Sequence, residues 1–419
     1  MIGECSMTKK IVLKRNRRKR LEQGHPWVYR SEVDYVDEEL IPGELVHIVN
    51  HKGVFLAQGY ANPYSQMIAR VLSYNPNETI DAAFFARRIA KARSLRERFL
   101  PDAASYRAVY GEADFLPGLI VDKYGDVLVV QILAYGMEAR KEDIRAALIE
   151  VYQPKGIYLR NDVPIRTLER LPLETGVWYG DVPHQIEILE NGLRFLIDVY
   201  EGQKTGYFFD QRENRAAIAP LMKKWSTRAE NETMVSDMSG AEVLECFCHT
   251  GSFTVHALQY GAKHVTAVDI SESAIEVAKQ NAKLNELEDR VTFVVANAFD
   301  YLRDEERAGR QYDVVLLDPP AFAKSKRALE GAVRGYKEIN LRGMKLVRDG
   351  GFLITASCSY HMSRDLFRQT ILDAAVDAHK ILRLVHWSGA GYDHPEIAGV
   401  EEGHYLKFAI YEVNSRQDI

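Results

Sequence analysis

Five apolar segments in the second half of the chain each end in a polar elbow, and each is followed by a stretch of helical periodicity. They lie at 242–246, 264–268, 291–295, 313–317 and 351–356. Continuous apolar runs of this length read as strands buried on both faces. Strands alternating with helices give a doubly wound, largely parallel sheet with crossovers of ordinary length. In such a sheet ligands bind at the carboxyl ends of the strands. The polar elbows therefore converge on one cleft. Ile381–Val385 and Tyr405–Glu412 read as an antiparallel pair at the sheet edge, which brings the sheet to seven strands.

The elbows differ in chemistry. Glu245–Phe253 is the first strand-to-helix turn, with Cys246, Phe247, His249, Thr250 and Gly251 in it. A nucleotide-like ligand needs close backbone approach and a helix N-terminus there. The bare pattern is weak, because most such junctions with one glycine bind nothing. Asp269 ends the second strand about 20 residues later, where an acid accepts hydrogen bonds from ribose hydroxyls. A helix cap is the competing role, and Ser271 is placed to fill it instead. Asn297 follows the third strand, with Phe299 close behind. It suits pairing with an adenine edge, against the plainer role of a turn asparagine. Asp318-Pro319-Pro320 follows the fourth strand. Two prolines remove two N–H donors and fix the backbone, so the aspartate and the carbonyls face the cleft, where Asp318 suits the exocyclic amine of a base.

Cys358 follows the fifth strand, flanked by Ser357, Ser359 and His361. Buried cysteines commonly act as small hydrophobes. The polar flanks and the carboxyl-end position favour a nucleophile, with His361 or a nearby cation lowering its pKa. Cys246 and Cys248 flank the first turn, where packing is the preferred role. Together the elbows suggest a methyl donor with a nucleophile beside it.

At 419 residues the chain exceeds one ordinary core. Residues 1–75 are rich in short strand signals and read as a small barrel carrying a basic arm. The arm, Lys9 to Arg20, holds eight cations and no acid. The whole chain carries a net charge of −5, so phosphate binding falls to such local blocks; a solvated basic face is the bland alternative. Residues 76–190 hold a helix from Asp81 to Phe99, with many arginines on its polar face, and a β-β-α-β-β layer. Residues 191–419 hold the doubly wound domain. Within it Phe209–Asn214 opens a helix running to about Lys224, and Trp225–Gly240 reads as an irregular surface loop. Met1–Ser6 looks like an extra leader, with Met7 an alternative start.

No apolar run approaches the ~20 residues that span a bilayer, and the start lacks the apolar core of a signal peptide. The four cysteines are Cys5, Cys246, Cys248 and Cys358. A C-x-C pair without a second pair makes no zinc site, so no metal is expected. Free thiols fit a reducing cytoplasm.

With these residues in hand, the second half resembles class I S-adenosylmethionine-dependent methyltransferases. The likeness extends further. Gly24-His25-Pro26-Trp27-Val28-Tyr29, the run Asp114 to Asp122, and Gly206-Tyr207-Phe208-Phe209-Asp210-Gln211-Arg212 resemble the ribosomal RNA large subunit methyltransferase I family, as do the Asp-Pro-Pro and Ser-Cys-Ser elements. The resemblance covers nearly the whole chain after Met7. It implies an N-terminal PUA RNA-binding module, a small α/β middle domain and a Rossmann-like methyltransferase that places 5-methylcytosine in 23S ribosomal RNA. It also implies Cys358 as nucleophile and Asp318 at the base pocket. Asp269 takes the cofactor ribose, Asn297 stands by the adenine, and Phe209, Asp210, Gln211 and Arg212 cover the cofactor. Ile270 and Ala298 complete that implied set. An aspartate is more usual at Asn297, and the better-known RNA cytosine-C5 enzymes carry a second cysteine where Pro320 stands. The arm, with Arg87, Arg88, Arg93 and Arg96, would hold RNA backbone. The rival readings are an RNA N-methyltransferase using Asp-Pro-Pro, which needs no thiol, and a non-enzymatic RNA-binding factor. Oligomeric state is nearly silent; a homodimer is admitted.

Overall fold

The computed structural model describes residues 8–37, 39–223, 227–230, 233–236, 240–323 and 325–417. The leader, Met7 and Cys5 lie outside them. The chain divides into two compact units: residues 1–188, 197–209 and 392–403 in one, and 189–196, 210–391 and 404–419 in the other.

The second unit contains the doubly wound sheet. Its strands are β1 (Glu242–Cys246), β2 (His264–Asp269), β3 (Val291–Val295), β4 (Tyr312–Leu317), β5 (Val347–Ser357), β6 (Lys380–Ser388) and β7 (Lys407–Ser415), in the order β3-β2-β1-β4-β5-β7-β6. β1 to β5 are parallel, and β7 runs antiparallel between β5 and β6. The strands alternate with α1 (Ser252–Gln259), α2 (Glu272–Leu284), α3 (Ala298–Arg307), α4 (Leu329–Leu346) and α5 (Arg364–Asp377). The strand order reverses between β1 and β4, and that switch point is where this topology opens a ligand crevice. Side chains of β1, β4, β5, α4 and α5 share one core that includes Leu244, Leu317, Leu353, Ile339 and Phe367. Ser271, Asn297 and Ser363 cap α2, α3 and α5 with side-chain oxygens.

Two local expectations are corrected here. The helix opened by Phe209–Asn214 stops at Ala217, because Pro220 brings a 3₁₀ turn instead. Residues 227–230 and 233–236 pair as an antiparallel hairpin where an irregular loop was expected.

The first unit carries a six-stranded sheet built from residues 10–73 and a five-stranded sheet built from 106–180. The five-stranded sheet places three strands before its main helix, Lys141–Tyr152, one more than a β-β-α-β-β layer. The two sheets are joined by buried polar links. Tyr60 Oη donates to the Pro117 carbonyl at 2.6 Å, and Arg70 pairs with Glu169 at 2.8 Å. Gly136 is required at this junction, since a Cβ there would stand 1.9 Å from the Tyr60 ring.

The Ala82–Phe99 helix shows why an arginine-rich polar face is not all surface. Arg96 is 0% exposed, and its guanidinium takes Asp114 in a two-pronged pair at 2.6 and 2.7 Å, with the Asp393 carbonyl at 2.8 Å. Arg96 is therefore a structural cation and leaves the expected RNA-facing set. Arg93 bonds Glu97 and the Val151 carbonyl, Arg88 bonds the Leu72 carbonyl, and Arg87 pairs with Glu78.

Removing one partner of a buried pair strands the other charge. Asp114→Ala is expected to lower the unfolding free energy by ~3–5 kcal/mol, read as a reduced midpoint in denaturant unfolding of the first unit's transition. A change below ~1 kcal/mol would show that Arg96 finds water or another acceptor.

Candidate active site

The turn after β1 is strained in an ordered way. Phe247 and His249 both hold left-handed backbone, at φ 68° and 50°, and Gly251 follows at 76°. Non-glycine residues rarely sit there, and such strain clusters at ligand sites. The turn is held by Phe247 N and Cys248 N, which both donate to the Val268 carbonyl at 2.8 and 3.1 Å, and by Asn281 Nδ2 on the Thr250 carbonyl at 2.9 Å. At Gly251 a Cβ would meet the Ala278 Cβ at 3.0 Å, so α1 and α2 approach closely at the turn.

Asp269 sits at the carboxyl end of β2. Its Oδ2 accepts from His249 N and its Oδ1 from Ser271 N, both at 2.9 Å. Ser271, not Asp269, supplies the α2 cap by accepting from Ala274 N. The carboxylate is thus aimed by the turn. Ile270 beside it is 70% exposed, high for an isoleucine in a sheet domain. Asn297 caps α3, its Oδ1 accepting from Phe299 N at 2.9 Å. That is the turn role weighed against adenine pairing, and it commits the oxygen rather than the amide nitrogen. Ala298 is buried against the core.

β4 and β5 are neighbours, with Leu317 opposite Thr355. This register brings the Asp-Pro-Pro elbow to the thiol: Cys358 Sγ stands 3.8 Å from the Pro319 carbonyl oxygen. Cys358 is half-buried, whereas Cys246 and Cys248 are buried. Burial pushes both of those thiols well up, so neither supplies a thiolate at ordinary pH. Asp318 accepts from Gln211 Nε2 at 3.0 Å, and Gln211 Oε1 in turn accepts from Asn214 Nδ2 at 2.7 Å. Asp210 accepts from Tyr405 Oη at 2.5 Å. Arg212 and Arg215 both reach buried Glu190, at 3.4 and 2.6 Å. Phe209 lies in the first unit, its ring 5.2 Å from that of Tyr124. Within the second unit, then, Gln211 and Asp210 meet the Asp318 and Tyr405 side of the cleft, while Arg212 anchors its helix.

Three groups here escaped sequence reasoning. Tyr336, fully buried on α4, bonds both Ser357 and Ser359 hydroxyls at 2.9 Å; burial pushes its phenol up to about 12. No local pattern in α4 marks it. Lys407 at the start of β7 donates to the Ser359 and Tyr405 carbonyls. It was visible as a lone cation opening an apolar run. Glu245 at the end of β1 is buried and accepts from Thr254 Oγ1. Burial pushes its carboxyl up to about 8, and Asp318 and Asp269 add to that. Around them Phe247, Phe299 and Phe322 form an aromatic wall, with Phe322 4.7 Å from Tyr336 and 5.8 Å from Phe299.

In the first unit, Lys14, Asn16, Arg17, Arg18, Arg20, Tyr29, Ser31 and Glu32 line an open groove of about 530 Å³. Arg20 lies over the Tyr29 ring at 5.3 Å, and Arg17 pairs with Glu22 at 2.7 Å.

Comparison with known proteins follows this division. Residues 11–74 match the PUA-like domain family and residues 169–400 the S-adenosylmethionine-dependent methyltransferase family. Ribosomal RNA large subunit methyltransferase I of Cronobacter sakazakii is 40% identical over 405 residues, covering 96% of this chain and 98% of that protein. The protein of the same name from Aliivibrio fischeri is 39% identical with the same coverage. Among solved structures, a putative methyltransferase from Streptococcus mutans superposes with a TM-score of 0.79 at 21% identity, covering 96% of this chain and 99% of the other. A putative methyltransferase complexed with S-adenosylhomocysteine superposes at 0.80 with the same identity and coverage. These two share the fold. The sequence matches make the chain a methyltransferase that uses S-adenosylmethionine.

The raised carboxyl of Glu245 has a consequence for stability. Its folded pKa of about 8 exceeds the unfolded carboxyl value, so its contribution is fully present at low pH and is lost as pH rises through that window. Glu245→Gln keeps the acceptor for Thr254 without the charge. The fall in melting temperature between pH 5 and 8.5 is expected to be smaller in Glu245→Gln than in the unmodified protein. Parallel curves would show that Glu245 titrates at its ordinary value.

Proposed function

Because the chain belongs to the ribosomal RNA large subunit methyltransferase I family, we propose that it methylates carbon 5 of a cytosine in 23S ribosomal RNA, with Cys358 as covalent nucleophile. The observation that carries this is the meeting of the half-buried Cys358 thiol with the Asp-Pro-Pro elbow at the carboxyl ends of β4 and β5.

The residues of the β1 turn fit the cofactor. Asp269 is oriented by two backbone N–H groups toward a ribose, the N-terminus of α1 stands behind Gly251, and the aromatic wall offers a face for the adenine. Asn297 would reach the ring by its amide nitrogen, and Gln211 and Asp210 would close the other side. When bound, S-adenosylmethionine supplies an electrophilic methyl group.

Carbon 5 of cytosine is a poor nucleophile. Addition of the Cys358 thiolate to carbon 6 turns carbon 5 into an enamine-like centre able to attack. Asp318, with one oxygen on Gln211, would hold the exocyclic amine and fix the base. After transfer a base takes the carbon-5 proton, the carbon 5–carbon 6 double bond re-forms, and the sulfur leaves as the thiolate that began the cycle. The target base must leave its stack to enter the cleft. The basic groove of the PUA-like domain, lined by Lys14, Arg17, Arg18 and Arg20, supplies backbone contacts to the RNA. Such an enzyme works in the cytoplasm; among the described residues no helix is long and apolar enough to cross a membrane.

Nitrogen methylation through Asp318 is the second reading, since Asp-Pro-Pro-Ala-Phe suits a base amine without any thiol. Nucleoside mass spectrometry after methylation of ribosomal RNA separates the two. Carbon-5 product, with at least a 10³-fold rate loss in Cys358→Ala and unchanged cofactor affinity, is the expected result. A nitrogen-methylated product, or wild-type turnover in the alanine variant, would overturn the assignment.

Asp269→Ala should weaken S-adenosylmethionine binding by ~1–3 kcal/mol, the cost of losing hydrogen bonds to a charged acceptor. Calorimetry on the folded variant reads this; unchanged affinity would move the ribose elsewhere.

A further inference from the structure

Lys407 is a buried cation of the cleft that the mechanism above does not use. It is 0% exposed, at the start of β7, in register opposite Ser357 of β5. Nζ donates to the Ser359 carbonyl at 2.8 Å and to the Tyr405 carbonyl at 2.7 Å. An ammonium has three donors. Two are fixed on these carbonyls, and the third meets no protein oxygen among the described residues. Both bonded partners are neutral, so the ammonium is buried without a carboxylate. Such a charge is costly unless something nearby opposes it. Burial accordingly pulls Lys407 down to about 8, and the group that acts against this is Cys358.

We propose that Lys407 is the charge partner of Cys358, a positioning residue that holds the sulfur as a thiolate in the resting enzyme. The bonded Ser359 carbonyl belongs to the residue next to the cysteine, so the lysine also fixes the loop that carries the thiol. The thiol proton goes to solvent and the thiolate–ammonium pair remains. Tyr336 from α4 acts with both Cys358 and Asp318 of the β4 elbow, and Tyr405 gives Lys407 its carbonyl; Asp210, Glu245 and His361 are the further titratable groups at this end of the sheet. Tyr336 stays neutral through burial, and Asp318 is bonded to Gln211. Lys407 is therefore the cation that favours the thiolate from within the sheet. As pH rises through about 8 the lysine loses its proton and this support fades.

The use of the pair in catalysis rests on Cys358 being the nucleophile, but its existence does not. The test is the pH dependence of iodoacetamide alkylation of Cys358 in the full chain, quantified on the peptide that contains it. The wild-type midpoint is expected below the ordinary cysteine value of about 8.5. Lys407→Met is expected to raise it by at least one pH unit, so that alkylation at pH 6.5 slows about tenfold. Lys407→Arg, which keeps the charge, is expected to restore most of the shift. Unchanged cofactor affinity in both variants reports an intact fold. Identical profiles for wild type and Lys407→Met overturn the proposal. Should Lys407→Met fail to fold, the wild-type curve decides: a midpoint at or above about 8.5 overturns it and a lower one supports it. A Cys358→Ala enzyme that still transfers methyl groups would sink the nucleophile reading while leaving the pair intact.

Discussion

The register of β5 against its two neighbours decides which side chains meet in this protein. On one side parallel pairing with β4 sets Leu317 opposite Thr355, which brings the Asp318 elbow to the loop after Ser357. On the other, antiparallel pairing with β7 sets Lys407 opposite Ser357. A slip of one residue in either ladder would turn these side chains to the opposite face of the sheet. The thiol, the carboxylate and the ammonium come from three segments 40 and 49 residues apart in sequence, and only this register gathers them.

Charge in the cleft is arranged by burial as much as by pairing. Asp318 and Asp269, at the carboxyl ends of β4 and β2, both act on Glu245 at the end of β1. Three full negative charges there would repel, and the conflict is relieved because Glu245, the most deeply buried, stays protonated into the neutral range. Asp269 and Asp318 are instead held by donors, two backbone N–H groups for one and Gln211 for the other. The same logic runs in reverse at Lys407, where burial weakens a cation that an adjacent thiolate would sustain.

Much of the sheet was legible because its signal is local. Runs such as Val314 to Leu317 are apolar at every position, which only a strand covered on both faces tolerates. The elbow residues Asp269, Asn297, Asp318 and Cys358 were legible because the carboxyl end of each strand is fixed by the strand itself. What escaped was long-range. The hydroxyls of Ser357 and Ser359 are shared by Tyr336, and nothing in α4 announces that tyrosine. The arginines of the Ala82–Phe99 helix read as one polar face, but Arg96 turns inward to Asp114, and helical periodicity cannot tell a buried ion pair from a solvated one. Asn297 was legible as a polar elbow, while its cap on α3 shows which of its two polar atoms is already engaged.

In the proposed reaction, carbon–sulfur bond formation at Cys358 precedes methyl transfer. RNA containing 5-fluorocytosine tests it directly, because fluorine cannot be removed as a proton can and the methylated adduct stays on the enzyme. An S-adenosylmethionine-dependent complex that survives denaturing electrophoresis and maps to the peptide holding Cys358 is the expected result. A methylated RNA released without any adduct, or an adduct on Cys246 or Cys248, would contradict it.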